Sequence, residues 1–140
     1  RTENRSLGEV VIPLEKVRTL DFGADGPTLG ELEDLLVETG FSRFPVTGRD
    51  GSFLGYVHVK DVLDRLTDGD PSETIPHDRL RTLITVDADQ PLDEALHTLH
   101  VRNAHMAQVR KLGRLTGVVT LEDLIEEYVG TVSDWTHEEA

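Results

Sequence analysis

Gly55-Tyr56-Val57-His58-Val59-Lys60-Asp61-Val62-Leu63 is answered further along the chain by Gly117-Val118-Val119-Thr120-Leu121-Glu122-Asp123-Leu124-Ile125. Glycine, valine, aspartate and the flanking apolar residues stand in register. A repeat of this kind fixes the architecture before any local reading does, because each copy is then one supersecondary unit. Working outward, Ser42-Arg43-Phe44-Pro45-Val46 pairs with His105-Met106-Ala107-Gln108-Val109, and Thr28 through Gly40 pairs with Pro91 through Asn103. The register slips only in the turn. That turn is Thr47 to Leu54 around Arg49-Asp50-Gly51 in the first copy and Arg110 to Thr116 around Lys111-Leu112-Gly113 in the second, both with hairpin chemistry.

Each copy reads as helix, strand, turn, strand, helix. Leu29, Leu32, Leu35, Leu36 and Phe41 recur at helical spacing, as do Leu92, Leu96, Leu99 and Val101. Pro27-Thr28 and Gln90-Pro91 suit helix N-termini. Strands are expected at 44–46 and 53–59 with a short helix at 60–66, and again at 106–109 and 115–121 with a helix at 122–129. The breaker-rich run from Thr67 to Pro76 reads as a connection. The expected division is a first repeat at 10–66, a linker at 67–79, a second repeat at 80–130, and boundary segments at 1–9 and 131–140. The fold class is α+β (α/β): two βαββα-type halves, each too small to bury its own sheet face, packed sheet to sheet about a pseudo-twofold axis with a cleft between them.

The chain has 140 residues, 37% of them hydrophobic, which suits one globular domain or two halves sharing a core. Its 27 acidic against 14 basic side chains give a net charge of −13, which repels nucleic-acid phosphates and argues against nucleic acid as a partner. The absence of cysteine excludes a disulfide framework, a thiolate metal site and a cysteine nucleophile, and fits a reducing compartment. No run of about 18 apolar residues and no export signal is visible, so the expected setting is cytoplasmic.

The sharpest local signal is Thr120-Leu121-Glu122-Asp123, a hydroxyl and a carboxylate three apart where a strand gives way to a helix. Two readings stay open. A carboxylate accepting from vicinal hydroxyls holds a ribose, and a helix N-terminus tolerates phosphate oxygens; equally, Thr-x-x-Asp before an apolar helix is a capping box that needs no ligand.

The duplication, Gly40-Phe41-Ser42-Arg43-Phe44-Pro45-Val46, Val57-His58-Val59-Lys60-Asp61, His105-Met106-Ala107 and the run from Thr120 to Gly130 together resemble a tandem CBS-domain pair (a Bateman module). More narrowly they are similar to the pair in the CorC, hemolysin-C-like and cyclin M family of membrane proteins linked to magnesium and cobalt efflux. The resemblance covers about Val10 to Gly130. It implies a regulatory segment at the cytoplasmic face of a membrane transporter, binding an adenine nucleotide (AMP, ADP or ATP), dimerising with a second copy through its second helices, and reporting to a membrane-spanning domain that these residues do not include.

Carried over position by position, the resemblance implies Thr120 and Asp123 as the ribose-binding pair, adenine against Ile12, Val17, Phe41 and Val118, and Ser42 and His105 at its edge. Arg43 is the basic residue placed to meet a phosphate, with a plain strand-edge charge as its other reading. The first copy departs from the pattern: His58 stands where a Thr or Ser would precede Asp61, so one nucleotide per pair is expected. Glu122, Glu126 and Glu127 make the mouth acidic, so a triphosphate would bring Mg²⁺ whereas AMP or ADP would not need it.

His97 and His100, with Asp93 one turn before, read as a solvated helix face and not as a metal site. No nucleophile with a base at recognisable spacing, no Walker A loop and no Gly-x-Gly-x-x-Gly is present, so no catalytic residue is assigned. The rival readings are a ligand-free dimerisation module, which His58 and the few basic residues favour, and a nucleotide-processing enzyme, which lacks a reactive pair.

Overall fold

A computed structural model describes residues 5–139, with side chains described as far as Ser133. The outer parts of the expected boundary segments, 1–4 and 140, lie outside the described residues. In chain order the elements are β1 (Ile12–Pro13), β2 (Leu20–Asp21), α1 (Leu29–Thr39), β3 (Arg43–Thr47), β4 (Phe53–His58), α2 (Leu63–Asp68), β5 (Ile84–Asp87), α3 (Leu92–Val101), β6 (Met106–Lys111), β7 (Arg114–Thr120) and α4 (Leu121–Glu139).

Local chemistry explains most of these boundaries. Helix α1 starts at a reciprocal capping box, in which Glu31 N donates to Thr28 Oγ1 at 3.1 Å and Thr28 N donates to Glu31 Oε1 at 2.8 Å. It stops where Gly40 turns left-handed (φ 71°). Asn103 (φ 53°) does the same after α3, and asparagine is among the few non-glycine residues that take this conformation readily. The second hairpin closes through Leu112 and Gly113, both at positive φ (52° and 80°), the geometry of a two-residue primed turn.

The chain divides into two compact units. One takes in the described residues up to Val17 and those from Ile84 onward; the other runs from Arg18 to Leu83. The first holds a four-stranded sheet in the order β1-β7-β6-β5, with β5 and β6 parallel and the other pairs antiparallel. The second holds a three-stranded sheet, β2-β3-β4, with β2 and β3 parallel. Each unit is thus a βαββα repeat. The parallel strands β2 and β5 escape a search for alternating runs because one is only two residues long and the other four.

Three stretches differ in detail from the sequence reading, the longest being α4, which runs to Glu139 through the expected boundary segment and not only over 122–129. The helix expected at 60–66 begins as a tight 3₁₀ turn, Val59–Val62, before α2. The run at 67–79 also contributes to a core: Ile75 is 1% exposed, and its N–H donates to the Pro27 carbonyl. One core gathers Leu7, Val86, Leu92, Leu99, Val109, Val119 and Leu124, and the other Leu20, Leu29, Leu32, Phe44, Val46, Val57 and Ile75. Each such side chain contributes roughly 1.5–3 kcal/mol through burial.

Strand β1 reaches β7 at a glycine. A Cβ placed on Gly117 would lie 2.0 Å from the Ile12 carbonyl oxygen, which no side-chain rotation relieves. Gly117→Ala is therefore expected to destabilise by about 3 kcal/mol or more, whereas Leu112→Asn, relieving left-handed backbone at an exposed turn, should stabilise by about 1 kcal/mol. Urea unfolding of both variants checks the pair of signs.

Candidate functional site

Strand β7 passes into α4 without a loop, since Thr120 is the last strand residue and Leu121 the first helical one. The Thr120 hydroxyl oxygen accepts from Asp123 N at 3.1 Å, satisfying one of the open N–H groups at the helix start. The hydroxyl hydrogen stays available to donate. The Asp123 carboxylate, half-buried one turn into the helix, has no side-chain partner among the described residues. Leu121 N donates to the His105 carbonyl at 2.9 Å, which holds the end of the preceding strand against the same corner.

Register places several predicted residues on one sheet face. Ile12 is opposite Val118, Val118 is opposite Gln108, and Thr120 is opposite Met106. Residues two apart on a strand share a face, so Ile12, Val118, Thr120, Met106 and Gln108 line one side. Ala107, Val109 and Val119 line the other, within the core. Two buried polar atoms here, Gln108 Oε1 and His105 Nδ1, lack a hydrogen-bond partner among the described residues. Such atoms each cost about 1–3 kcal/mol unless water or a ligand meets them. Gln108 is not among the site residues expected from sequence, because β6 also carries Arg110 and Lys111 and one more polar residue does not stand out in it.

Within this unit, then, Ile12, Val118, Thr120, Asp123 and His105 converge on one strand-to-helix corner. Val17 closes the 3₁₀ turn Leu14–Lys16 that leaves β1. Phe41, Ser42 and Arg43 belong to the other unit. There Arg43 opens β3 opposite His58, the Ser42 carbonyl accepts from Val59 N, and the half-exposed Phe41 ring lies 6.3 Å from Phe44.

The acidic mouth needs one correction. Glu127 is engaged in an ion pair with Arg5, so its charge is met within the protein, while Glu122 and Glu126 are exposed. His97 and His100 are exposed on α3, and among the described residues no group of three or more His, Asp or Glu side chains is placed to hold a metal ion.

The matching corner of the first repeat is built differently. His58 Nδ1 takes the capping role and accepts from Lys60 N at 3.3 Å. Burial, then the charges of Arg43 and Arg81, hold the His58 imidazole below its ordinary value, which keeps the ring neutral and able to accept. Asp61, the counterpart of Asp123, accepts two bonds from the Arg81 guanidinium, both at 2.7 Å. Those bonds hold its carboxyl below the usual aspartate range.

The CBS domain family matches this chain twice, at residues 24–68 and 79–130. An uncharacterized protein of Mycobacterium tuberculosis is 42% identical over 98% of the chain, which spans 40% of that protein. The magnesium and cobalt efflux protein CorC of Salmonella typhimurium is 32% identical over 97% of the chain, which spans 46% of it. The chain thus covers less than half the length of these relatives. A solved structure of the CBS domain of a bacterial CNNM/CorC family Mg²⁺ transporter, in complex with ATP, has a TM-score of 0.77 at 30% identity, covering 89% of this chain and 87% of that one. Among the described residues no helix is long and apolar enough to cross a membrane.

The Asp61 pairing makes a pH prediction. Because its folded pKa lies below the unfolded value of about 3.9, the pair stabilises the protein above that pH and the contribution fades as pH falls through the folded value. Both partners are partly solvated, so Arg81→Met should cost only about 1 kcal/mol at neutral pH. In urea unfolding that difference from wild type should shrink as pH falls below the unfolded value of about 3.9.

Proposed function

Because the chain belongs to the CBS domain family, as a tandem pair of the kind found in CNNM/CorC Mg²⁺ transporters, we propose that it is a nucleotide-sensing module. In this reading an adenine nucleotide binds at the β7–α4 corner and biases a membrane domain of the same protein, placing the module at the cytoplasmic face. The observation that carries it is the pairing of a donor-competent Thr120 hydroxyl with an Asp123 carboxylate that has no side-chain partner among the described residues, at the start of a 19-residue helix. Vicinal ribose hydroxyls donate to the carboxylate and one accepts from Thr120, and the partly exposed Ile12, backed by the buried Val118, offers an apolar ledge to the base. The ATP complex of the 30%-identical CNNM/CorC CBS domain supports the same ligand class.

Two features shape the choice of ligand. Exposed Glu122 and Glu126 raise the electrostatic cost of a bare triphosphate, so ATP is expected with Mg²⁺ and AMP or ADP without it. Sensing further requires that the ligand bind one arrangement of the protein better than another. The reading assigns no catalytic step to the module. It includes a homodimer, supported by Ile125, Tyr128 and Val129, apolar residues 44%, 42% and 58% exposed at helical spacing on α4.

A ligand-free dimerisation module is the second reading, favoured by the fact that Thr120 already has a structural duty as a cap. Calorimetric titration of AMP, ADP and ATP, each with and without Mg²⁺, separates the two. Wild type is expected to bind one nucleotide per chain and Asp123→Ala to lose at least tenfold in affinity, whereas heat-silent titrations at millimolar nucleotide would leave only the dimerisation role. Light scattering of the same samples should give twice the chain mass.

A further inference from the structure

Local backbone geometry identifies a residue that repeat comparison alone does not align. In one unit Ile12 pairs antiparallel with Val118, directly after Gly117. In the other, Arg81 pairs antiparallel with Tyr56, directly after Gly55: Arg81 N donates to the Tyr56 carbonyl at 2.8 Å and Tyr56 N donates to the Arg81 carbonyl at 3.0 Å. The close approach is the same in kind, since a Cβ on Gly55 would lie 2.6 Å from the Arg81 carbonyl oxygen. Arg81 is therefore the structural counterpart of Ile12, although it lies outside the stretches 28–63 and 91–125 that align between the two copies.

The consequence is chemical. Where one corner offers an isoleucine ledge, a threonine hydroxyl and an aspartate with no side-chain partner among the described residues, the other offers an arginine, a histidine and an aspartate already bound by that arginine. The Arg81–Asp61 pair is two-pronged, and its side chains are 32% and 26% exposed, so it is partly withdrawn from solvent. A ribose at Asp61 would have to displace both charge-assisted bonds before making its own. It would also find His58 Nδ1 already committed to Lys60 N.

We propose that the first-repeat corner is closed from within: the Arg81 guanidinium occupies the place of a ligand's ribose on Asp61, so only the Thr120–Asp123 corner accepts nucleotide. This inference rests on the nucleotide reading above and adds the residue that sets stoichiometry. Arg81 acts by occupying Asp61, with Tyr56 beside the guanidinium and the positive charges of Arg43 and Lys60 nearby. It also turns the asymmetry into something that two side-chain changes can test, because at both corners the incoming backbone meets the hairpin beside a glycine.

The test combines Arg81→Ile with His58→Thr, giving the first corner the side chains of the second, in wild-type and Asp123→Ala backgrounds. Calorimetry with AMP and with ATP plus Mg²⁺ should count one site in wild type and two in the opened variant. In the Asp123→Ala background the opened variant should keep one site, which Asp61→Asn then removes. An opened variant still counting one site, or a wild type counting two, overturns the closure while leaving the sensing function intact. A second readout needs no nucleotide: the Asp61 carboxyl, followed by NMR, should titrate below the usual range in wild type and return to it in Arg81→Met, which keeps side-chain bulk should the isoleucine variant fold poorly. If Asp61 titrates normally in wild type, the internal pair is absent and the proposal fails. If the pair is present but wild type binds nothing, the sensing function fails and the stoichiometric role of Arg81 falls with it.

Discussion

Both units depend on an incoming backbone segment reaching the outer edge of a hairpin at a glycine. At Gly117 the Ile12 carbonyl, and at Gly55 the Arg81 carbonyl, come closer than any Cβ allows. The contact satisfies backbone groups on strands that would otherwise end as open edges. It also determines which parts of the chain belong together. The segment before Val17 completes the unit of the second repeat, and the segment ending at Leu83 completes that of the first. One unit thus unites residues from both sides of the intervening repeat, a non-local arrangement that carries a loop-closure cost before its contacts form.

The same constraint builds the candidate site. Because β1 lies against β7, Ile12 is carried to the face that bears Val118 and Thr120. Because β7 runs directly into α4, the hydroxyl that caps the helix is also the one that a ligand would meet. The oxygen serves the helix, the hydroxyl hydrogen can still donate, and Asp123 has no side-chain partner among the described residues.

Charge gives the two corners their difference. The protein is strongly acidic, with a net charge of −13, so a cation committed to a carboxylate matters more here than in a balanced protein. Arg5 engages Glu127 beside the second-repeat helix, and Arg81 engages Asp61 in the first repeat. Asp123 has no such cation among the described residues. The two corners thus present different local fields.

Much of this was legible without coordinates. The repeat, the helix limits at Thr28, Gly40 and Asn103, the hairpins and the Thr120–Asp123 spacing are all set by interactions within a few residues of one another, which leave their mark on local sequence. The short parallel strands, the buried role of Ile75, the Gln108 amide oxygen that lacks a partner among the described residues, and the equivalence of Ile12 with Arg81 left no such mark. They arise from pairing between segments far apart in the chain, where a two-residue strand or a lone arginine has no periodicity to betray it. Sequence alone determined the two-copy α/β architecture and the residue types at its strand-to-helix corners; tertiary structure decided how those corners differ, because only folding brings Arg81 onto Asp61.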